Sequence, residues 1–223
     1  MRRISQLWVL TAVTLAIYLS VSVANAAAPL PIAEFRQICQ RATRHAEAAS
    51  ALPKDLLTAI SHAESGQWDA QEQAIIAWPW TVTSGGKGRY FPDKASAIAH
   101  VRDLQRKGVR NIDVGCLQVN LRYHPDAFSG LEAAFDPNTN ARYAAQFLGK
   151  LQRSNKSWSQ AIKRYHLTNP SRGDPYHERV LNFWNKKQRT SAEVYRQSVI
   201  AAYKQRRAER RRDRGLRLMA RSR

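Results

Sequence analysis

Apolar residues recur at intervals of three and four positions along most of this chain, and this spacing constrains its fold more than any other feature. Such spacing places apolar side chains on one face of an α-helix. The helical segments begin near Ile32, Pro53, Lys94, Ala141, Trp158 and Val180. We therefore predict a mostly α fold whose first element is one amphipathic helix over residues 32–46. The third helix has Asp93 as its predicted N-cap and Gly108 as its predicted end.

Three stretches between these helices lack the helical spacing. Residues 81–83 and 89–91 flank a glycine-rich loop at residues 84–88, which predicts a small β-hairpin. The loop lacks the strand, lysine and helix context of a phosphate cradle, so its glycines indicate a tight turn. Residues 112–120 alternate in polarity and are predicted to be extended. Residues 68–80 are predicted to be irregular.

The N-terminal segment is typical of a secretory signal peptide. Arg2 and Arg3 precede an apolar stretch over residues 7–24, and small residues follow it. We predict a cleaved signal at residues 1–26 and a periplasmic mature protein. The alternative is an uncleaved membrane anchor, because about 18 apolar residues are just enough to span a bilayer. The mature chain is long enough for one domain with its own core, predicted at residues 27–185.

The formal net charge of +19 is unevenly distributed. Residues 186–223 contain 14 Lys and Arg against 3 Asp and Glu, whereas residues 27–185 contain 20 against 14. The last segment is therefore a basic tail. Nucleic acid is a common partner of such tails, but export favours the polyanions of the cell wall and envelope. A solvated, disordered tail is the alternative. We expect no nucleic-acid partner, and no membrane contact once the signal is removed.

Two cysteines, Cys39 and Cys116, lie far apart in the sequence. In an oxidising compartment an even pair favours a disulfide. The alternative is two buried thiols that act as small apolar side chains. Neither cysteine has another cysteine or a histidine at the spacing of a metal site, so we predict no metal and no cofactor.

Glu64 lies four residues after Ile60 and seven after Leu57, on the apolar face of the second predicted helix. Gly66 marks the end of that helix. Burial and the negative end of the helix dipole both disfavour a charged carboxylate. Glu64 is therefore a candidate general acid, and the alternative is a buried glutamate held by hydrogen bonds.

Three short motifs resemble those of the soluble lytic transglycosylase catalytic domain, and they occur in the order found in that family. They are Ala59-Ile60 with Glu64-Ser65-Gly66, then Gly115-Cys-Leu-Gln118-Val-Asn120, then Ala161-Ile-Lys-Arg-Tyr165. The resemblance covers roughly residues 39–184. It is closest to the small, single-domain members that accompany envelope-spanning secretion or conjugation complexes.

The resemblance implies a lysozyme-like (goose-type) helical domain with a small β-hairpin that cleaves peptidoglycan. The bond would be the one between N-acetylmuramic acid and N-acetylglucosamine, and the product a 1,6-anhydromuramic end. Glu64 matches the single catalytic acid and base of the family. The expected substrate-binding residues are Ser65, Gln118, Asn120, Tyr165 and His166. Glycan strands are the expected partner, with an envelope-spanning complex as a further candidate.

Two features leave the chemistry open. His166 stands where the family usually has asparagine, and it adds a group that changes charge near neutral pH. Asp113 lies in the extended segment near Gln118 and is the best candidate for the second carboxylate of a hydrolysing muramidase. The alternative role of Asp113 is a hydrogen bond to nearby backbone. A peptidoglycan-binding protein without activity is the remaining possibility.

Overall fold

The computed structural model describes residues 32–166 and 173–221. This part of the chain is mostly helical with two small antiparallel sheets, which confirms the predicted mostly α class. The predicted signal peptide at residues 1–26 lies outside the described residues. Among the helices described, none is both long and apolar enough to cross a membrane.

Most helices of the described ranges lie close to where the apolar spacing predicts them, although the four-residue helix at Leu131–Ala134 was not predicted. They are α1 (Ile32–Phe35), α2 (Ile38–Ala49), α3 (Leu56–Ser65), α4 (Lys94–Arg106), α5 (Leu131–Ala134), α6 (Pro137–Asn155), α7 (Trp158–Tyr165) and α8 (Gly173–Arg221). The side chain of Asp93 accepts a hydrogen bond from the Ser96 amide and caps α4 as predicted. Gly108 follows that helix with a φ of 81°. The last helix, α8, continues without a break through residues 186–221 of the basic tail.

The two sheets are built from short strands. One contains β1 (Gly66–Asp69) and β2 (Ala74–Ala77), and the other contains β3 (Thr81–Ser84), β4 (Lys87–Tyr90), β5 (Ile112–Val114) and β6 (Val119–Asn120) in the order β4-β3-β5-β6. The predicted hairpin is β3–β4, and its turn residues Gly85 and Gly86 both have positive φ, as a two-residue hairpin turn requires. The prediction that residues 68–80 are irregular was wrong, because β1 and β2 pair there.

The prediction of one helix over residues 32–46 was also wrong. The helix is interrupted between α1 and α2, where the Arg36 side chain turns toward β1. The Arg36 guanidinium donates to the Asp69 carboxylate at 2.6 Å. The Phe35 ring packs against Trp78 and Trp80, each with a centroid distance of 4.3 Å. Contacts with residues more than thirty positions away therefore override the local helical spacing.

The hydrophobic core consists of two clusters. The larger cluster joins α2, α3, α6, α7 and the first part of α8, with Leu56, Ile60, Leu148, Ile162 and Val180 at its centre. The smaller cluster joins α4 to the four-stranded sheet. Residues of both the helices and this sheet line the cleft described below.

A disulfide between Cys39 and Cys116 links α2 to the turn between β5 and β6, with a Cα–Cα distance of 5.6 Å. Of the two alternatives left by the sequence, the structure therefore has the disulfide. The cysteines are 77 positions apart. Closing a loop of that length reduces the entropy of the unfolded chain by an amount worth on the order of 4 kcal/mol.

The start of α3 is held by a buried carboxylate. Glu47 is 5% exposed and accepts hydrogen bonds from the amides of Asp55 at 3.1 Å and Thr58 at 2.8 Å. Burial raises the pKa of Glu47, although both backbone hydrogen bonds act in the opposite direction. The first amides of a helix have no partner within the helix. Glu47 supplies that partner and so fixes the helix that carries Glu64.

Candidate active site

A cleft of about 660 Å³ opens between the helices and the four-stranded sheet. Its walls come from α3, α6, α7 and α8 on one side and from β3 to β6 on the other. Five of the six predicted site residues line it: Glu64, Gln118, Asn120, Tyr165 and His166. The sixth, Ser65, does not.

Glu64 occupies the last turn of α3, and its side chain is only 7% exposed. The chain passes directly from this helix into β1 at Gly66. A Cβ at Gly66 would lie 2.2 Å from the carbonyl oxygen of His62 and 2.6 Å from a methyl carbon of Ile75. Glycine is therefore required at the point where the helix ends. This sharp exit fixes the carboxyl of Glu64 in the wall of the cleft.

His166 is the nearest charged partner of Glu64. Its Nδ1 lies 3.6 Å from Oε1 of Glu64, and its ring stacks on Tyr176 with a centroid distance of 4.6 Å and an interplanar angle of 10°. The Glu64 carboxylate raises the pKa of His166, against the opposing effect of burial. His166 therefore keeps its positive charge at a pH where an isolated histidine would have lost it.

Half-buried Tyr165 and buried Tyr176 complete the surroundings of Glu64. The Tyr165 hydroxyl donates to the carbonyl oxygen of Leu117 at 3.0 Å. The Tyr176 hydroxyl is buried beside the Glu64 carboxyl and makes no well-aligned hydrogen bond within the described residues. Burial raises the pKa of both hydroxyls well above 10, and the nearby Glu64 carboxylate adds to the effect. Both tyrosines therefore stay neutral and can act only as hydrogen-bond donors or acceptors.

Gln118 lies in the turn between β5 and β6 with a φ of 45°. Its Nε2 donates to the carbonyl oxygens of Thr81 and Gly115, both at 3.0 Å. Its Oε1 is buried and has no partner within the described part of the chain. A buried acceptor without a partner is costly. Because Gln118 lines the cleft, this oxygen is well suited to accept a hydrogen bond from a ligand.

Asn120 lines the same wall of the cleft, but the polar atoms of its side chain already make hydrogen bonds within the protein. Its Nδ2 donates to Asn111 at 2.6 Å and to Asp113 at 2.7 Å. Its Oδ1 accepts from the amides of Arg122 and Tyr123. Asn120 therefore holds the end of β6 in place, and Gln118 is the better candidate for a ligand contact, as the sequence analysis expects.

Asp113 belongs to β5 and lines the cleft. Burial raises its pKa to about 6, the charge of Glu64 adds to this effect, and the hydrogen bond from Asn120 opposes it. The carboxyls of Glu64 and Asp113 are therefore close enough to influence each other. Asp113 is a cleft carboxyl whose charge changes near neutral pH.

Ser65 does not fit the predicted substrate-binding role. Its side chain is fully buried, and its hydroxyl donates to the carbonyl oxygen of Cys116 at 2.8 Å. Because neighbouring helical residues face about 100° apart, Ser65 points into the core when Glu64 faces the cleft. Its contact ties the end of α3 to the turn that carries Gln118.

Asn140, which the three motifs do not include, builds that turn from the far side. Its Nδ2 donates to the carbonyl oxygens of Val114 and Ala134, and its Oδ1 accepts from the Leu117 amide, all at 3.0 to 3.1 Å. A Cβ at Gly115, whose φ is 81°, would lie 2.6 Å from the Asn140 side chain. The signal that the sequence offers is an asparagine on the same helix face as the small residues Ala141 and Ala144 of α6.

Two residues of α8 that were not predicted also belong to the site. Tyr176 packs over His166, and Arg179 lies over the Tyr176 ring at 5.5 Å and lines the cleft. Neither falls within the three motifs, and residues 167–172 before them are not described. Their spacing of three residues was the available signal, since it places both on one side of a helix.

The aromatic residues around the hairpin separate into two groups. Trp78 and Trp80 are half-buried and pack against Phe35. Tyr90 lines the cleft, and its hydroxyl donates to the carbonyl oxygen of Gly66 at 2.9 Å. Tyr123 also lines the cleft and is 55% exposed. Both are exposed aromatic rings in the wall of the cleft.

Within residues 32–166 and 173–221, no cluster of acidic, histidine or cysteine side chains could hold a metal ion. Comparisons with protein-family models, curated proteins and solved structures find no match to this chain.

Proposed function

We propose that the protein is a lytic transglycosylase that cleaves peptidoglycan between N-acetylmuramic acid and N-acetylglucosamine. The observation that carries this proposal is the position of Glu64. Its carboxyl is 7% exposed in the wall of a cleft that Gln118 and Tyr165, from the other two motifs, also line. We also propose the lysozyme-like (goose-type) form of the mostly α fold, because three motifs distant in the sequence meet at one cleft.

In the first step, Glu64 donates its proton to the oxygen of the glycosidic bond, and the bond from that oxygen to C1 of the muramic sugar breaks. The developing positive charge at C1 is stabilised by the N-acetyl group of the same sugar. In the second step, the Glu64 carboxylate accepts the proton of the C6 hydroxyl while the C6 oxygen bonds to C1. The acid is regenerated, and no water enters the products.

The residues around Glu64 suit this use of one carboxyl twice. A general acid must hold a proton at the working pH, and a general base must then accept one. His166 lies 3.6 Å away and has a raised pKa, so its positive charge can stabilise the carboxylate that accepts a proton in the second step. The free Oε1 of Gln118 can accept from an N-acetyl N–H, and Tyr165 holds the turn beneath it.

Asp113 favours a second candidate, a hydrolysing muramidase. A hydrolase uses a second carboxylate either as a nucleophile or to activate water. Asp113 lines the same cleft as Glu64, and its pKa is raised to about 6. At neutral pH most of its population would be ionised, as this role requires. The products distinguish the two reactions, because hydrolysis leaves reducing ends and the transglycosylase reaction leaves anhydro ends.

The proposed setting is the periplasm, where an exported chain meets the cell wall. The substrate would be the glycan strands, and local opening of the wall would serve an envelope-spanning secretion or conjugation complex. This setting rests on the signal-like N-terminus and on the motif resemblance.

The test is mass spectrometry of the soluble products released when the purified full chain is incubated with intact sacculi. The variant is Glu64→Gln, which keeps the shape of the side chain but cannot transfer the proton. The matched control is Glu132→Gln, since the Glu132 side chain on α5 is 67% exposed and outside the cleft.

Anhydro muropeptides from the wild type and the control, with at least a hundredfold less from Glu64→Gln, would support the proposal. Reducing-end products would favour the hydrolase and Asp113. If neither wild type nor variant releases products while both sediment with sacculi, the protein binds peptidoglycan without cleaving it.

A further inference from the structure

The second part of α8 is an exposed arm. The first part packs on the domain through buried Tyr176 and Val180, and the Trp184 and Gln188 side chains donate to the carbonyl oxygen of Lys54. From residue 194 to residue 212, every side chain is exposed. We call residues 194–212 the arm.

Large apolar side chains are concentrated on the arm. Nine large hydrophobic side chains are exposed in the described part of the chain, and five of them lie between residues 194 and 203. They are Val194, Tyr195, Val199, Ile200 and Tyr203, with exposures from 42% to 71%. Tyr195, Val199 and Tyr203 follow one another at intervals of four, so they form a single stripe. An exposed apolar stripe on a helix is typical of a contact surface and not of a solvated helix face.

Positive charge follows the stripe directly. Residues 204–212 contain six Lys and Arg and one acidic residue, Glu209. Among them Arg206, Arg207, Arg210 and Arg211 extend from successive turns of the helix, and all are exposed. Long arginine side chains can direct their charge toward an anionic surface while their methylene groups lie against an apolar one.

We propose that the arm docks on an anionic phospholipid surface. The stripe would enter the boundary between headgroups and acyl chains, and the arginines would contact the phosphates. A phospholipid surface of this kind would contact both the apolar stripe and the arginines of the arm. It differs from the expectation that the mature protein contacts no membrane, and it does not depend on the proposed catalysis.

Two other partners use only part of the arm. Nucleic acid would engage the cations through its phosphates but would leave Val199 and Ile200 in water. A second copy could cover the stripe, but side-by-side arms would bring two strongly basic segments together. Tyrosine at the polar boundary of a bilayer has its ring in the apolar layer and its hydroxyl at the headgroups, which fits Tyr195 and Tyr203.

The experiment is co-sedimentation of the purified full chain with vesicles of phosphatidylcholine alone or with 30% phosphatidylglycerol. We expect at least tenfold stronger partitioning onto the anionic vesicles, reduced severalfold when salt is raised from about 0.05 M to about 0.5 M.

Two variants test the two features separately. The first replaces Tyr195, Val199 and Tyr203 by Ser, and the second replaces Arg206, Arg207, Arg210 and Arg211 by Gln. Each should lose at least tenfold in binding. The matched control replaces four exposed cations of the domain, Arg102, Arg106, Lys107 and Arg110, by Gln. It should retain binding to within about twofold, since it removes the same charge from another surface.

Helical content measured by circular dichroism shows whether the arm stays folded, and the arginine variant keeps the test valid if the serine variant unfolds. The proposal is overturned if the wild type does not bind anionic vesicles, or if both arm variants bind as the wild type does. It is also overturned if the serine variant binds normally and the arm binds duplex DNA in its place. A dimer in sedimentation velocity that the serine variant abolishes would assign the stripe to self-association.

Discussion

Replacing Asp113 by asparagine should stabilise the protein, and the gain should depend on pH. Asp113 lies in the cleft wall with a pKa raised to about 6, mainly by burial and then by the charge of Glu64. Asparagine has the same shape and is never charged. Its Oδ1 can still accept the hydrogen bond that Asn120 donates at 2.7 Å. The substitution therefore removes the buried charge and keeps the main contact.

The sign follows from proton binding. Between pH 3.8 and about pH 6, the folded protein holds the Asp113 proton more tightly than the unfolded chain does. The free energy of unfolding of the wild type therefore falls across this window as pH rises. A pKa moved from 3.8 to about 6 corresponds to roughly 3 kcal/mol when both states are fully ionised. The stability advantage of Asp113→Asn should thus grow by about 1 to 3 kcal/mol between pH 4 and pH 8.

The assay is urea unfolding of the purified wild type and variant at unit steps from pH 4 to pH 8, followed by circular dichroism. The control is Asp103→Asn, because hydrogen bonding to Lys107 lowers the pKa of exposed Asp103. The stability difference of that variant from the wild type should stay nearly constant from pH 4 to pH 8, because a carboxyl with a lowered pKa titrates below this range. If the difference in free energy of unfolding between Asp113→Asn and the wild type is the same at every pH, the reasoning is refuted.

Two other predictions concern the walls of the cleft. Asn140→Ala leaves two buried carbonyls and one amide without a partner, so it should cost about 3 kcal/mol at roughly 1 kcal/mol for each lost hydrogen bond. Urea unfolding measures this cost, and a loss below about 1 kcal/mol would contradict it. His166→Asn should lower stability at pH 5.5 but not at pH 9, because a histidine with a raised pKa stabilises the fold only while it is protonated. Thermal unfolding at both pH values tests this, and an equal change at both would mean that His166 acts through packing alone.

The helices were predictable from the sequence because their signals are local. Helix α4 is the clearest case, since Asp93 caps its start, Gly108 follows its end and Ala97, Ile98 and Val101 form its buried face. The hairpin at Gly85 and Gly86 is equally local. Each of these elements is specified by residues within one or two turns of each other.

Elements specified by distant contacts were not predictable in the same way. The break after α1 depends on Arg36 reaching Asp69, and β1 is held by pairing with β2 in a segment that lacks clear alternation. The motifs brought Glu64, Gln118 and Tyr165 to one cleft. They could not show that Ser65 points into the core or that Tyr176 arrives from another helix, because both depend on how helices pack.

Helix α8 joins two surfaces of the protein in one continuous helix. Tyr176 in its first turn stacks on His166 beside the cleft, and Tyr203 lies on the arm. No proline follows Pro175, so the usual cause of a helix kink is missing from the rest of this segment. At ~1.5 Å per residue the two tyrosines lie about 40 Å apart along the axis. A cleft joined to the arm by this helix would stay at a fixed distance from the point where the arm is anchored. The number of helical turns would then set how deep into the cell wall the cleft can reach. Removing whole turns from this segment would shorten that reach without altering the cleft.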